Sequence, residues 1–490
     1  MNRSRVAWRA TVLPAALCCT PAAAHIFAQP YTLPVPFALY ATAATAALLL
    51  SFVIVGVFAV VPAVARVRPG AAAAPAAHAA TPSRAVTWGR MASVFLLTSC
   101  IVTGFAGTQN AFLNFNMTFF WIVFVLAVPY AVAVVGDFYA TVNPFEELAR
   151  WAEAALGAAD PPRLWPARLG CFPALAFYMA FIWLELFGQL RPRGLSGALA
   201  AYVVINVAGA RVFGRQAWFR HAEFFAVYLR LIGRMSPWAR GLEDGASPAR
   251  RGSRWRAPFS GLLDAPDRSI SLVLFILFML SSTAYDGLHS TSPWISVYWK
   301  TLYPAIAPWL HPAPDRQYIL SSELYYLWQW SCLFASPFLY LAVFAGCVGI
   351  MKVVTRSSMD LLALVTRFSM SLVPIAFVYH VTHYYTLLLA QGGQIVRLVS
   401  DPFGAGWNLL GTARLPLPPV MLDMGSVWLT QVGLILAGHI VGVLLAHVEA
   451  LRIFGSPKRA ALSQLPMLAL MVLFTNFGLW ILSLPISGAG

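Results

Sequence analysis

The sequence predicts an all-α protein, a polytopic transmembrane helical bundle of about ten spans. Three observations carry that expectation. Apolar residues make up 59% of the 490 and charged residues only 10%, whereas a soluble domain carries about 25% charged residues to wet its surface. Mean hydropathy is +0.71, and the apolar residues gather in runs close to the ~20 that a bilayer-crossing helix needs. Lysine and arginine collect on alternate linkers, the pattern that orients a chain in a membrane. The net charge of +15 is therefore a membrane signature, and a nucleic-acid partner is not expected.

Residues 1–24 have the build of a secretory signal peptide. Arg3, Arg5 and Arg9 precede a short apolar stretch, and Ala22-Ala23-Ala24 offers a small-residue cleavage site. Cleavage there makes His25 the mature N-terminus. Residues 25–490 then form a single transmembrane domain, with spans near 36–65, 91–108, 117–136, 170–189, 197–213, 269–285, 324–350, 368–390, 425–448 and 462–484. The range 197–213 is short and contains Asn206. The linkers that this alternation places inside carry 24 basic residues, and the outside segments carry six: Arg191, Arg193, Lys300, Arg316, Arg397 and Arg414. That asymmetry puts both mature termini in the periplasm and the protein in a bacterial inner membrane.

Several linkers have their own character. Residues 69–82 are Ala- and Pro-rich and read as a flexible connector. The basic cytoplasmic segment 211–268 interleaves Phe224, Phe225, Val227, Tyr228 and Leu231 with Arg230 and Arg234, as in a helix lying on the inner membrane surface. Asp137, Asn143-Pro144 and Glu146-Glu147 read as a helix exit and re-entry with Asn143 as the cap. The outside loops 286–323 and 391–424, rich in Trp, Tyr, Pro and Gly, are expected to cover a cavity open to the periplasm. Cys100, Cys171, Cys332 and Cys347 lie in apolar segments, with no metal-type pair and no disulfide framework.

Function is sought at ionisable residues inside spans, because hydrocarbon penalises them by a few kcal/mol unless they are paired or wet. Glu185 lies in the fourth span and Asp286 at the end of the sixth; His380 and His383 lie in the eighth, and His439 near the middle of the ninth. His380 and His383 are three residues apart and share one helical face. Two such imidazoles with His439 and a carboxylate from neighbouring helices are the ingredients of a divalent transition-metal centre of unspecified identity. A metal would activate a bound water as nucleophile, and Glu185 or Asp286 could serve as general base. His447 and Glu449 follow towards the cytoplasmic end of the ninth span. The plainer reading of a membrane histidine, His447 above all, is an interhelical hydrogen bond. His25, with its free amine and a partner such as His289 or His311, could also brace a copper ion.

No phosphate-binding glycine loop, Gly-x-Ser-x-Gly elbow or His-Glu-x-x-His motif is present. Three stretches nonetheless have a distinctive form: Tyr379-His380-Val381-Thr382-His383-Tyr384, Ser400-Asp401-Pro402-Phe403-Gly404-Ala405-Gly406-Trp407 followed by Gly411-Thr412, and Gly438-His439 with Ala446-His447. Together they resemble bacterial membrane proteins known as fenitrothion hydrolases. The likeness extends to Ala24-His25, Asn143-Pro144 and Tyr285-Asp286-Gly287, and is densest over 370–450. It implies hydrolysis of an organophosphorus triester, releasing a nitrophenol and a dialkyl thiophosphate. A small, lipophilic, uncharged substrate would reach such a site from the bilayer. Two other readings use the same residues: a transporter or metal-handling permease, and a haem-binding electron-transfer protein with axial histidines.

Overall fold

The structure is a computed structural model and describes residues 36–58, 83–157, 163–239, 254–264, 268–310, 316–417, 420 and 422–484. The signal region, His25, the 69–82 connector and His311 lie outside the described residues. Helix dominates throughout; the sheet content is one antiparallel rung pair between Trp238–Ala239 and Arg254–Trp255. Nine helices among the described residues are long and apolar enough to cross a membrane. They are α1 (Phe37–Phe58), α2 (Arg84–Ala106), α3 (Phe115–Val135), α6 (Pro192–Phe213), α9 (Ile270–His289), α12 (Gln317–Thr355), α13 (Leu361–Leu398), α14 (Met424–Phe454) and α15 (Pro457–Ser483). Between them lie α4 (Pro144–Leu156), α5 (Phe172–Phe187), α7 (Arg215–His221), α8 (Phe224–Gly233), α10 (Ser292–Val297) and α11 (Tyr303–Leu310). Each of the ten expected ranges overlaps one of these helices, the first over its described part, 36–58. The fourth falls on α5, whose 16 residues extend only ~24 Å at 1.5 Å per residue.

Helix α9 is the centre of the bundle. Fifteen of its 20 residues are buried, and it packs against α5, α12 and α13. An all-round apolar helix of this kind has to be enclosed by others. On one side α1, α12, α14 and α15 pack together; on the other α2 packs against α4 and α6. Small residues bring the backbones close. Gly438 and Gly442 on α14 face Val378, Ile375 and the Ser371 carbonyl of α13, and Gly478 of α15 leaves room for the Tyr379 hydroxyl. This Gly-x-x-x-Gly spacing is a common route to close helix contact in membranes.

Two local features depart from the sequence reading. Thr118–Ala127 within α3 is π-helical, a rare form that recurs at functional sites. Helix α8, expected to lie flat on the inner surface, is packed into the bundle: Phe224, Phe225, Val227, Tyr228, Leu229, Leu231 and Ile232 are all buried. Its apolar surface is wide enough to need partners on more than one side, and it finds them on α3, α5, α7 and α13. Glu223 starts this helix, accepting hydrogen bonds from Phe225 and Ala226 N–H, and is held in turn by Asn143 and Tyr202.

Other expected features appear as drawn. Asn143 caps α4 by accepting from Phe145 and Glu146 N–H. Asn206, the polar residue of the range 197–213, is fully buried between the Tyr202 carbonyl and the Trp218 indole. Cys100, Cys171, Cys332 and Cys347 are free thiols. A Cβ added at Gly104 of α2 would fall on Ser196 Oγ, Asn116 Nδ2 and the Pro192 carbonyl of α6, whereas Gly433 of α14 faces open space. Gly104→Ala should therefore lower stability by about 1–3 kcal/mol and Gly433→Ala should not. Thermal unfolding of the two variants in detergent checks this.

Candidate functional site

The last turn of α9 places Asp286, 4% exposed, against the middle of α13. An isolated carboxylate could not stay there ionised without partners, and it has three. His383 Nε2 lies 2.7 Å from Asp286 Oδ2. The Tyr384 hydroxyl donates to the same oxygen at 2.7 Å. His289, one turn further along α9, has its Nδ1 2.8 Å from the Asp286 carbonyl and 3.9 Å from Oδ1. Glu185, from α5, lines the same cavity as Asp286 and Tyr384. Two carboxyl groups and a phenol from three helices thus border one space.

These groups border a cavity of about 30 Å³ between α3, α5, α8, α9 and α13, room for about two ordered waters. Glu185, Asp286, Tyr384, His380, Tyr178, Tyr228, Ser282 and Thr283 supply its polar rim. The remainder is apolar and includes four phenylalanines: Phe124 from the π-helical stretch, Phe181 from α5, and Phe224 and Phe225 from α8. Phe181, Phe224 and Phe225 pack on one another with ring centroids 3.9–5.7 Å apart. His380 turns its ring to Tyr130, Tyr228 and Tyr384. Its Nε2 and the Tyr130 hydroxyl are both shielded from solvent and lack a hydrogen-bond partner among the described residues. Such groups call for water or a polar ligand.

Glu185, Asp286, His380 and His383 are thus brought to one place, with Asp286 and Glu185 facing the cavity and His383 behind Asp286. His439 is elsewhere. Its Nδ1 bonds to the Ile435 carbonyl of its own helix at 2.8 Å, and its ring meets Tyr379. No hydrogen bond or ring contact among the described residues joins it to His380 or His383. No group of three or more His, Cys, Asp or Glu among the described residues is arranged to hold a metal ion. His380, His383 and His439 therefore do not meet at one point among the described residues. His447 is buried with Nδ1 unpartnered, and Glu449 pairs with Arg367 at 3.5 Å and Arg452 at 3.7 Å.

Sequence reasoning missed Tyr384, Tyr228, His380's tyrosine neighbours and the whole contribution of α8. The loop 400–412 also has a different role from the one expected. Asp401 accepts from Ala405 and Gly406 N–H, and the Pro402 and Phe403 carbonyls accept from Phe115 and Thr108 N–H. Gly404 and Gly406 take positive φ, 64° and 85°, which glycine adopts without strain. This loop pins the turn between α2 and α3, and neither outside loop lines the cavity beyond Asp286.

No protein-family model, curated protein or solved structure matches the chain.

The carboxylate at the centre of this cluster sets its stability. Asp286→Ala leaves His383 and Tyr384 facing a void and should destabilise the folded protein by about 3–5 kcal/mol. Tyr384→Phe removes one hydrogen bond and should lose only about 0.5–1.5 kcal/mol. Denaturation midpoints of both variants in matched detergent test the ranking.

Proposed function

We propose that this chain is a multi-pass inner-membrane hydrolase of neutral, lipophilic organophosphorus triesters of the fenitrothion kind, with ten crossings and both mature termini periplasmic. The observation that carries the reading is the meeting of two carboxyl groups, Glu185 and Asp286, the latter bonded to Tyr384, at the edge of one buried cavity. The motif resemblance over 370–450 and the positive-inside asymmetry support it as well.

In this mechanism a water in the cavity gives up a proton to Glu185 or Asp286 as its oxygen bonds to phosphorus. The phosphorus–aryloxide bond breaks, and the phenolate leaves with the electron pair. His383 acts as a positioning residue, holding Asp286 from behind, and the unpartnered His380 Nε2 meets the oxygen of the departing group. The closely packed phenylalanines must rotate to admit an aryl ring, since the cavity at rest holds only water.

General acid–base groups typically contribute about 10²–10⁴-fold to rate. Glu185→Gln and Asp286→Asn should each slow nitrophenol release from fenitrothion by a factor in that range, measured on protein reconstituted in vesicles. Full activity in the His380→Ala/His383→Ala double variant would sink the assignment. A chelator provides the second arm. Activity lost to it and restored by one divalent ion would move the water from the carboxylates to a metal.

A permease is the second reading, favoured by the π-helical wall of α3, since irregular helix recurs where transport pathways are lined. It predicts solute accumulation in vesicles with no product formed.

A further inference from the structure

Beside the acid–base cluster the chain builds a second aromatic unit that the hydrolytic reading does not use. Helix α10, the π-helical Tyr298–Leu302 and α11 run on directly from one another, and the first part of α12 meets Trp294, Tyr298 and Trp299. Tyr298 is 2% exposed, yet it lies outside the continuous core of the bundle. Trp299, Tyr303, Tyr325 and Trp328 enclose it, with ring centroids 5.0–6.0 Å away.

The outer side of this hairpin is apolar and uncovered. Trp309 is 83% exposed, Tyr318 80% and Ile319 56%, and Val297, Ile306, Tyr326 and Leu327 join them. Its described charges are few: Lys300, Arg316 and Glu323. A patch of this extent in water would be a liability. Tryptophan and tyrosine are instead the residues favoured where acyl chains meet headgroups, because their rings are apolar and their N–H and O–H groups stay wet.

Length points the same way. The 39 residues of α12 extend roughly 58 Å at 1.5 Å per residue, against a hydrocarbon core of ~30 Å. Against the expected span 324–350, Gln317–Glu323 are left over at the N-terminal end, beside Tyr298. The hairpin is also fixed to the bundle. Gln329, buried on α12, accepts from the Tyr285 hydroxyl and the Trp294 indole and donates to Tyr325. Tyr285 in turn stacks on His289, which adjoins Asp286.

We infer that residues 292–310 and 316–327 form an interfacial anchor seated in the lipid headgroup region of the leaflet nearest Asp286, and not a water-exposed surface. Its occupant is the bilayer itself. A lipophilic molecule dissolved in that leaflet would meet this surface within a few side chains of the acid–base cluster. The seating is independent of what the cluster does.

The test uses spin labels at I306C, W309C and Y318C, with Cys332 and Cys347 replaced by Ala, in vesicles of phosphatidylethanolamine and phosphatidylglycerol. Collision with dissolved oxygen should exceed collision with a water-soluble nickel chelate at all three positions. Nickel-dominated collision at all three overturns the proposal in favour of a water-exposed or protein-covered surface. Hydroxyl-radical footprinting of the unaltered chain in lipid nanodiscs is the second measurement, should a variant fail to fold. Trp309 and Tyr318 should be spared, and modification of both at the rate of a free water-exposed ring overturns the proposal equally. Neither readout depends on hydrolysis, so this idea and the proposed activity can fail separately.

Discussion

Burying one carboxylate, Asp286, on the most enclosed helix of the bundle is the constraint that the surrounding structure answers. In a low-dielectric interior a lone charge is strongly penalised, and the penalty is relieved only by close, well-directed partners. Asp286 meets it with an imidazole and a phenol, both 2.7 Å from one oxygen, and with His289 from its own helix. These partners come from α9 and α13, so the two helices are locked in register where the carboxylate sits. Glu185 lines the same cavity and adds α5. The site is in this sense the polar equivalent of the core: it joins three helices by satisfying groups that lipid cannot.

Once that junction exists, the irregular elements around it make physical sense. A regular α3 would carry one uniform face past α13, whereas the π-helical stretch shifts side chains and lets Phe124 and Val125 reach the cavity. Helix α8 closes the opposite wall with Phe224, Phe225 and Tyr228. It is only ten residues long, too short to be stable by itself, so its burial against four neighbours is what keeps it helical. Glu223 secures its start by capping, and ties it to α6 through Tyr202 and to the α4 cap through Asn143. The cavity wall and the ion-paired surface near α4 are thus parts of one connected structure.

The helices were largely legible in the sequence because lipid demands long apolar runs, and such runs are visible without any knowledge of packing. The acidic and histidine residues of the site were legible for the same reason: ionisable groups are rare in hydrocarbon and stand out. What could not be read was direction. Phe224, Phe225 and Tyr228 look alike on a membrane-surface helix and on a buried one, and the flanking Arg230 and Arg234 tilted the reading towards the surface. Tyr384 carries no charge and so gave no signal, although its hydroxyl holds Asp286 at the cavity wall. The glycine motif Gly438-His439 looked like part of a site, whereas Gly438 and Gly442 serve the contact of α14 with α13.

The histidines show how far helical spacing can be trusted. Residues three apart on an α-helix are separated by roughly 60° around its axis, close enough to count as one face. Around α13 that angle spans two different environments. His383 meets α9 and its carboxylate, while His380 meets tyrosines of α3 and α8. A ligand pair would need both rings to converge on a point, which spacing alone does not provide. Divergence suits a different division of labour, with one imidazole fixing a carboxylate and the other leaving its Nε2 free beside the cavity. His439, reached from α14, is further removed still: its Nδ1 is committed to its own helix backbone and its ring to Tyr379. Three histidines that the sequence grouped by type are separated by direction, and it is the direction of each ring, set by its neighbours, that decides what chemistry it can take part in.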